Sequence, residues 1–371
     1  MARNLKDRAR YGGVCIRHCA LLILCIFLIC DSAYAREAST GVTFSQVQCE
    51  YLGMDWKDVY LKTLEIDPGI IRLGAYWSRI EKEQGKYDFS ELDWQIQKAK
   101  ARNIKIVLTV GMKAPRWPEF FIPSWVKSNV KFGKDITDRE EIKGHTLKFI
   151  EETVSRYSDE PAIEYWQVEN EPLNRAGPKE WWIGKDFLKE EIALVKKVDH
   201  GKRPVIVNVA TYPNKFLRFL SRIAYSRDPL QEAIQVADIV GINVYPAVGH
   251  TIGELKMCFW STSKERKSYF TKIINNVRGH GKEIWITELQ AEPWEPGQLV
   301  HQGEKSRTCW PQGFALSFFE LRSYGIDKIF LWGAEYWFFR IERYNDHAWL
   351  EAASDLIGKQ PDPDFNAQQS P

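Results

Sequence analysis

The apolar positions of this chain fall into two alternating rhythms. Short, nearly continuous apolar runs recur between longer stretches with helical spacing. Such runs mark strands buried on both faces of a parallel sheet. Eight qualify: Val42–Cys49, Ile70–Ala75, Ile104–Val110, Ile163–Glu169, Pro204–Ala210, Ile239–Tyr245, Glu283–Thr287 and Lys328–Trp332. The intervals carry helix signals. Ser90-Glu91-Leu92-Asp93 predicts a capped start, with Phe89 placed to staple against Trp94 and with Leu92, Ile96 and Ala99 as the inward stripe. Thr137-Asp138-Arg139-Glu140 predicts a second capping box ahead of Ile142, Phe149, Ile150, Thr153 and Tyr157. Pro311 suits a first helical turn and Gly325 the position just past a helix end.

Eight β–α alternations without a long linker, repeat or low-complexity stretch predict an α/β fold, a single (β/α)8 TIM barrel over residues 36–358. A doubly wound open sheet is the alternative. The longest interval lies between the third and fourth strands, around Pro115–Asp138. The last residues, 359–371, read as a flexible tail.

The first 35 residues stand apart. Arg3, Lys6, Arg8, Arg10 and Arg17 precede an apolar run from Ala20 to Cys30, and Ala33-Tyr34-Ala35 is a small-residue cleavage pattern. That order predicts a secretory signal peptide, and the run is short for a bilayer anchor. The expected location is secreted or periplasmic, with no stable membrane anchor once the leader is cleaved. Tethering by an uncleaved leader is the alternative. The leader holds five basic and two acidic residues, so 46 basic and 47 acidic residues remain beyond it. That balance gives no reason to expect nucleic acid as a partner. Four of the seven cysteines lie in the leader, leaving Cys49, Cys258 and Cys309. Three cysteines make no disulfide framework, and a Cys258–Cys309 bridge is left open. No CxxC or clustered His spacing points to a metal site, and no cofactor is implied.

Two strings carry candidate chemistry. Trp166-Gln167-Val168-Glu169-Asn170-Glu171-Pro172 and Ile284-Trp285-Ile286-Thr287-Glu288 are strand-like runs that end on a carboxylate. In a barrel, the C-terminal strand ends line the active site. Two facing carboxylates can hydrolyse a glycosidic bond. Glu171 and Glu288 are the expected pair. Glu169 lies deeper or in the bend and Glu292 in the following loop, and neither is expected to be catalytic.

Asn170-Glu171-Pro172, followed 117 residues later by Ile286-Thr287-Glu288, resembles the signature of the cellulase-like clan of retaining (β/α)8 glycoside hydrolases. The resemblance covers residues 40 to 358. It implies a secreted enzyme cleaving β-glycosidic bonds of an oligo- or polysaccharide by double displacement, with Glu171 as acid/base and Glu288 as nucleophile. It further implies that Arg72 braces the nucleophile, Asn170 bonds the sugar 2-hydroxyl, Tyr245 contacts the nucleophile and Trp332 forms the floor beneath the sugar. Asn243 stands where many relatives carry His. Thr109-Val110-Gly111-Met112-Lys113 lacks the His pair that cellulases of the clan often place after strand three. Tyr76 to Glu81 followed by Gly85-Lys86-Tyr87-Asp88-Phe89 is similar to the β-galactosidase and β-xylosidase branches. Glu335 is expected either to bind sugar hydroxyls or to pair with Arg340. Trp117, Trp125, Trp294 and Trp310 lie in predicted loops, where aromatics either form sugar subsites or pack the loop. A carbohydrate-binding protein on a catalytically inactive barrel is the alternative function.

Overall fold

A computed structural model describes residues 39–358, apart from 128, 226, 253–254 and 295–303. The expected leader and tail therefore lie outside the described residues. Eight parallel strands close into one barrel: β1 (Ser39–Thr43), β2 (Ile70–Gly74), β3 (Lys105–Val110), β4 (Ile163–Val168), β5 (Val205–Thr211), β6 (Ile239–Val244), β9 (Glu283–Gln290) and β10 (Lys328–Trp332). Each strand pairs with its neighbours along the chain, and β1 closes the ring on β10. The TIM-barrel expectation therefore holds, and the doubly wound alternative does not.

Flanking helices bury the outer face of the barrel. They include α1 (Gln46–Tyr51), α2 (Trp56–Glu65), α3 (Trp77–Ile80), α4 (Ser90–Lys100), α5 (Glu140–Tyr157), α6 (Lys185–Val198), α7 (Lys215–Tyr225) and α8 (Pro229–Val236). They continue with α9 (Ser263–Gly279), α10 (Pro311–Ser323), α11 (Ala334–Tyr344) and α12 (Ala348–Gly358). Among the described residues, no helix is long and apolar enough to cross a membrane.

Local chemistry moved several boundaries. β1 ends at Thr43, not Cys49, because Ser45 caps α1: its side chain accepts from the Gln48 amide. The expected capping boxes at Ser90 and Thr137 do not form. Ser90 is already helical, and its amide donates to Asp88 Oδ1 at 3.0 Å. Thr137 sits in a short 3-10 turn capped by Asp135, and α5 starts beyond it at Glu140. Pro311 does open α10, and Gly325 follows its end at φ +79°. A hairpin of β7 (Ala247–Ile252) and β8 (Leu255–Trp260) between β6 and α9 was not expected. Cys258 and Cys309 are not joined in a disulfide.

Side chains on a strand alternate faces, so one residue in two points into the barrel. The lower interior is apolar: Ile70, Val107, Ile206, Ile239, Trp285 and Phe330 form one buried cluster with Tyr165 against it. Two residues further along β2, β3, β4, β5 and β9 the interior turns polar, with Arg72, Thr109, Gln167, Asn208 and Thr287 all buried. The barrel is thus oil-filled at its base and hydrogen-bonded above it. Gly41 on β1 is paired with both Phe330 and Ile70, and a Cβ built there would lie 2.5 Å from the Phe330 ring. The phenyl ring occupies the space that the missing side chain leaves. Gly41→Val should therefore overpack this layer and lower stability by about 1–3 kcal/mol. Urea unfolding checks this, and an unchanged midpoint contradicts it.

Candidate active site

Arg72 organises the polar layer. Its side chain is fully buried at 0% exposure. Nη1 donates to Glu288 Oε1 at 2.7 Å, Nη2 to Asn170 Oδ1 at 2.6 Å and Nε to Gln167 Oε1 at 2.8 Å. One guanidinium thus ties the strand-four turn to the nucleophile candidate on β9. Asn208 ties the same turn to β6. Its Oδ1 accepts from the Glu171 amide at 2.7 Å, and its Nδ2 donates to Asn170 Oδ1 at 2.9 Å and to Asn243 Oδ1 at 3.3 Å.

Glu288 owes its aim to a bulge. Asn243 pairs with Glu288 although Ile242 pairs with Ile286, and on the other flank Leu331 pairs with Leu289 although Ile329 pairs with Ile286. β9 therefore carries an extra residue against both neighbours. Thr287 faces the interior, where its hydroxyl donates to Asn243 Oδ1 at 2.7 Å. Strict alternation would then turn Glu288 away. The bulge brings it inward, where Tyr245 donates to Oε2 at 2.6 Å opposite Arg72 on Oε1.

Glu171 lies three residues beyond β4 in a tight turn. Glu169 and Glu171 both have left-handed backbone, at φ +61° and +46°. Side chains rarely adopt that conformation without support from their surroundings. Here the support is dense. Glu169 is fully buried, and its carboxylate accepts the amides of Met112 and Lys113. The Glu171 carbonyl accepts from the buried Lys113 ammonium at 2.7 Å. Gly111 has φ +122°, and a Cβ there would stand 2.2 Å from the Glu169 carboxylate. The loop after β3 is thus shaped to grip the strand-four turn.

The Glu171 carboxyl is half-buried and accepts from Asn243 Nδ2 at 2.5 Å. Its pKa is pushed up to about 8, first by burial and then by the charge of Glu288; Lys113 and the Asn243 bond pull the other way. The Tyr245 hydroxyl is held well above its ordinary range, by burial and then by Glu288. Asn243 supplies an amide that does not titrate near neutral pH.

A second charged cluster lies beside the pair. Arg116, in the loop after β3, pairs with both Glu292 and Glu335, and its guanidinium lies 4.1 Å from the Trp332 ring centre. Trp332 Nε1 donates to Glu292 Oε1 at 3.0 Å. Arg116 therefore covers one face of the ring expected to floor the sugar site. Glu335 has no exposed surface and bonds Arg116 and the Ser45 amide. It does not pair with Arg340, which bonds Asp346 instead. Glu292, set aside in the sequence as a loop residue, is part of this wall.

Glu171, Glu288, Arg72, Asn170, Asn243 and Tyr245 meet at one end of the barrel. Trp294 is 52% exposed and lies against Tyr245, with ring centres 4.8 Å apart. Trp117 is 65% exposed on the loop that carries Arg116. Trp125 packs edge-on to Trp77 and donates to the Glu81 carbonyl, so it serves the loop. Sequence reasoning missed Lys113, Arg116, Gln167 and Asn208. Asn208 had a legible signal, as a lone polar residue inside the Val205–Ala210 apolar run. Among the described residues, no group of three or more His, Cys, Asp or Glu side chains could hold a metal ion.

Comparisons with known proteins bear on the same region. The glycoside hydrolase 42 family model, described as β-galactosidase, matches residues 54–181. The β-galactosidase BgaA of Clostridium cellulovorans is 28% identical over 124 residues, which cover 29% of this chain and 18% of that protein. Among solved structures, the GH5_18 protein of Streptomyces cattleya in complex with GlcNAc aligns at TM-score 0.57 and 11% identity, covering 89% of this chain and 82% of that one. The cold-adapted β-galactosidase of Rahnella sp. R3 aligns at TM-score 0.56 and 14% identity, covering 81% of this chain and 51% of that one. The chain thus spans about half the length of that β-galactosidase. The family match and the closed barrel fit the cellulase-like clan of (β/α)8 glycoside hydrolases.

Two substitutions should move the Glu171 titration in opposite directions. Glu288→Gln removes a repelling charge and should lower its midpoint from about 8. Lys113→Met removes an attracting one and should raise it. Carboxyl-carbon NMR on glutamate-labelled protein reads both shifts, and shifts of the same sign contradict the electrostatic picture.

Proposed function

We propose that this barrel is a retaining β-glycosidase, with Glu171 as acid/base and Glu288 as nucleophile. The observation that carries the reading is the asymmetric support of the two carboxyls. Glu288 receives a guanidinium and a phenol, whereas Glu171 is held with a pKa near 8 by burial and by its partner's charge. Pairs of acids driven apart in this way take opposite roles in glycoside hydrolysis.

The reaction then runs in two steps. The Glu288 carboxylate attacks the anomeric carbon while Glu171 gives its proton to the departing glycosidic oxygen. The bond to that oxygen breaks, and a glycosyl ester on Glu288 forms. The ester has no charge, so the repulsion on Glu171 is gone and its pKa falls. As carboxylate it now takes a proton from water, whose oxygen attacks the anomeric carbon and releases Glu288. Two inversions leave the anomeric configuration unchanged. The Asn170 carbonyl is occupied by Arg72 and Asn208, so its amide nitrogen is the end that meets the sugar 2-hydroxyl. β-D-galactosides are the first substrates to test, because the β-galactosidase match includes Arg72, Asn170 and Glu171. The basic, then apolar leader ending in Ala33-Tyr34-Ala35 supports export of the protein.

The resting enzyme must hold Glu171 protonated, so kcat/KM should fall as pH rises through about 8. A plateau to pH 10 on an aryl β-galactoside would count against the assignment. Glu171→Gln should lower kcat on poor leaving groups by roughly 10²–10⁴-fold, and much less on activated ones that need no proton. Glu288→Ala should abolish turnover. Added azide should then restore part of it and yield a glycosyl azide of inverted configuration, detected by NMR of the product.

A further inference from the structure

Aromatic side chains lead away from the catalytic pair over the β6 and β9 loops. Tyr245, bonded to Glu288, contacts the half-exposed Trp294. The Trp294 amide is bonded to Thr308 Oγ1 at 2.8 Å, which fixes it beside the segment entering Trp310. Trp310 pairs with Trp260 at the end of β8, with ring centres 5.8 Å apart and planes 47° apart. Both rings are more than 40% exposed, at 42% and 45%. Neither is loosely placed. The Trp310 ring lies on Gly313 of α10, where a Cβ would come within 2.7 Å of it, and Asn214 donates to the Trp260 carbonyl at 2.6 Å.

The direction of this track follows from what lies opposite. β3 and β9 are four strands apart in an eight-stranded ring, so they face each other across the mouth. The Arg116–Glu292 pair joins their loops, and Arg116–Glu335 joins the loop after β3 to α11. This strap, with less than a tenth of Arg116 exposed, spans the mouth on the side of β1, β2 and β10. The strap does not cross the side of β4, β5 and β6. That side also holds Glu171, whose proton must go to the leaving group.

We propose that Trp260 and Trp310 form a binding platform for the leaving-group portion of a β-linked oligosaccharide, two or more sugar rings beyond the bond that is cut. The claim rests on the glycosidase reading above for the direction of the chain. The chemistry is that of stacked faces: the apolar C–H face of a pyranose covers an indole, and removing both surfaces from water is favourable. Exposed, firmly seated indoles suit such a ligand, because a sugar ring offers them a broad C–H face.

Trp260→Ala tests the platform, and Gly313→Ala tests it independently by displacing the Trp310 ring without deleting an aromatic. On 4-nitrophenyl β-D-galactoside, kcat/KM should stay at the wild-type value in both variants. On β-1,4-linked galacto-, gluco- or xylotetraose, whichever the wild type cleaves, it should fall about tenfold for Trp260→Ala, a change of about 1.4 kcal/mol. Equal loss on both substrates, or no loss on the tetraose, overturns the platform. Binding separates this outcome from failure of the glycosidase reading. The same three tetraoses are titrated into Glu288→Ala, with and without Trp260→Ala, and followed by calorimetry. An affinity that falls with Trp260→Ala supports the platform even if no glycoside is hydrolysed by the wild type. An affinity that does not change, or no binding of any tetraose, overturns it.

Discussion

A single buried cation sets the terms for this structure. Arg72 sits inside the barrel with no exposed surface, and a guanidinium there demands full compensation. Glu288, Asn170 and Gln167 provide it, from β9, from the turn after β4 and from β4 itself. Removing one partner would leave a charge stranded in a medium that solvates it poorly. The arrangement therefore resists being taken apart piecemeal. The same bonds that satisfy the arginine also hold the reacting groups in register. Stability and geometry are here one set of contacts, not two.

Around that centre, the interior changes character in two residues of strand. Below lie Ile70, Val107, Ile206, Ile239, Trp285 and Phe330; above lie Arg72, Gln167, Asn208 and Thr287. Alternation along parallel strands places equivalent positions at similar heights, so one substitution pattern repeated around the ring builds a polar deck on an apolar base. The deck carries the site and the base anchors the strands. The bulge in β9 departs from this regularity where Glu288 is needed.

Much of this was legible in the chain. Seven of the eight barrel strands lie where apolar runs predicted them, because strands buried on both faces leave that mark. The eighth, β1, was misplaced in extent: Ser45 ended it early by capping a helix, and a strand-like run such as Phe44-Ser45-Gln46-Val47 does not reveal that competition. The β7–β8 hairpin was missed because its residues alternate weakly and include Gly249. Glu171, Glu288 and Arg72 were readable from motif and strand position. Arg116 and Glu292 were not, because their pairing depends on loops from opposite sides of the barrel meeting in space, and Lys113 was not, because its role depends on how the β3 loop packs on the strand-four turn. Glu335 was left between binding sugar hydroxyls and pairing with Arg340; its ion pair is instead with Arg116, from a loop far away in sequence.

The turn that presents Glu171 has a consequence for the folding equilibrium as a whole. Behind it, Glu169 faces Glu191 of α6, and both are fully buried. Burial holds Glu169 at about 7, and Glu191 well above the ordinary range through burial and the neighbouring carboxyl. With Glu171 near 8, three acids bind protons more tightly in the barrel than in an extended chain, where they ionise near 4.5. Below about 4.5 all three are protonated in both states and the fold keeps their full contribution; as pH rises from there the unfolded chain ionises first, so stability falls across the whole window up to about 7 to 8. Renaturation near neutrality must then draw hydrogen ions from the medium, and in a weakly buffered solution the act of folding would itself turn the solvent more alkaline.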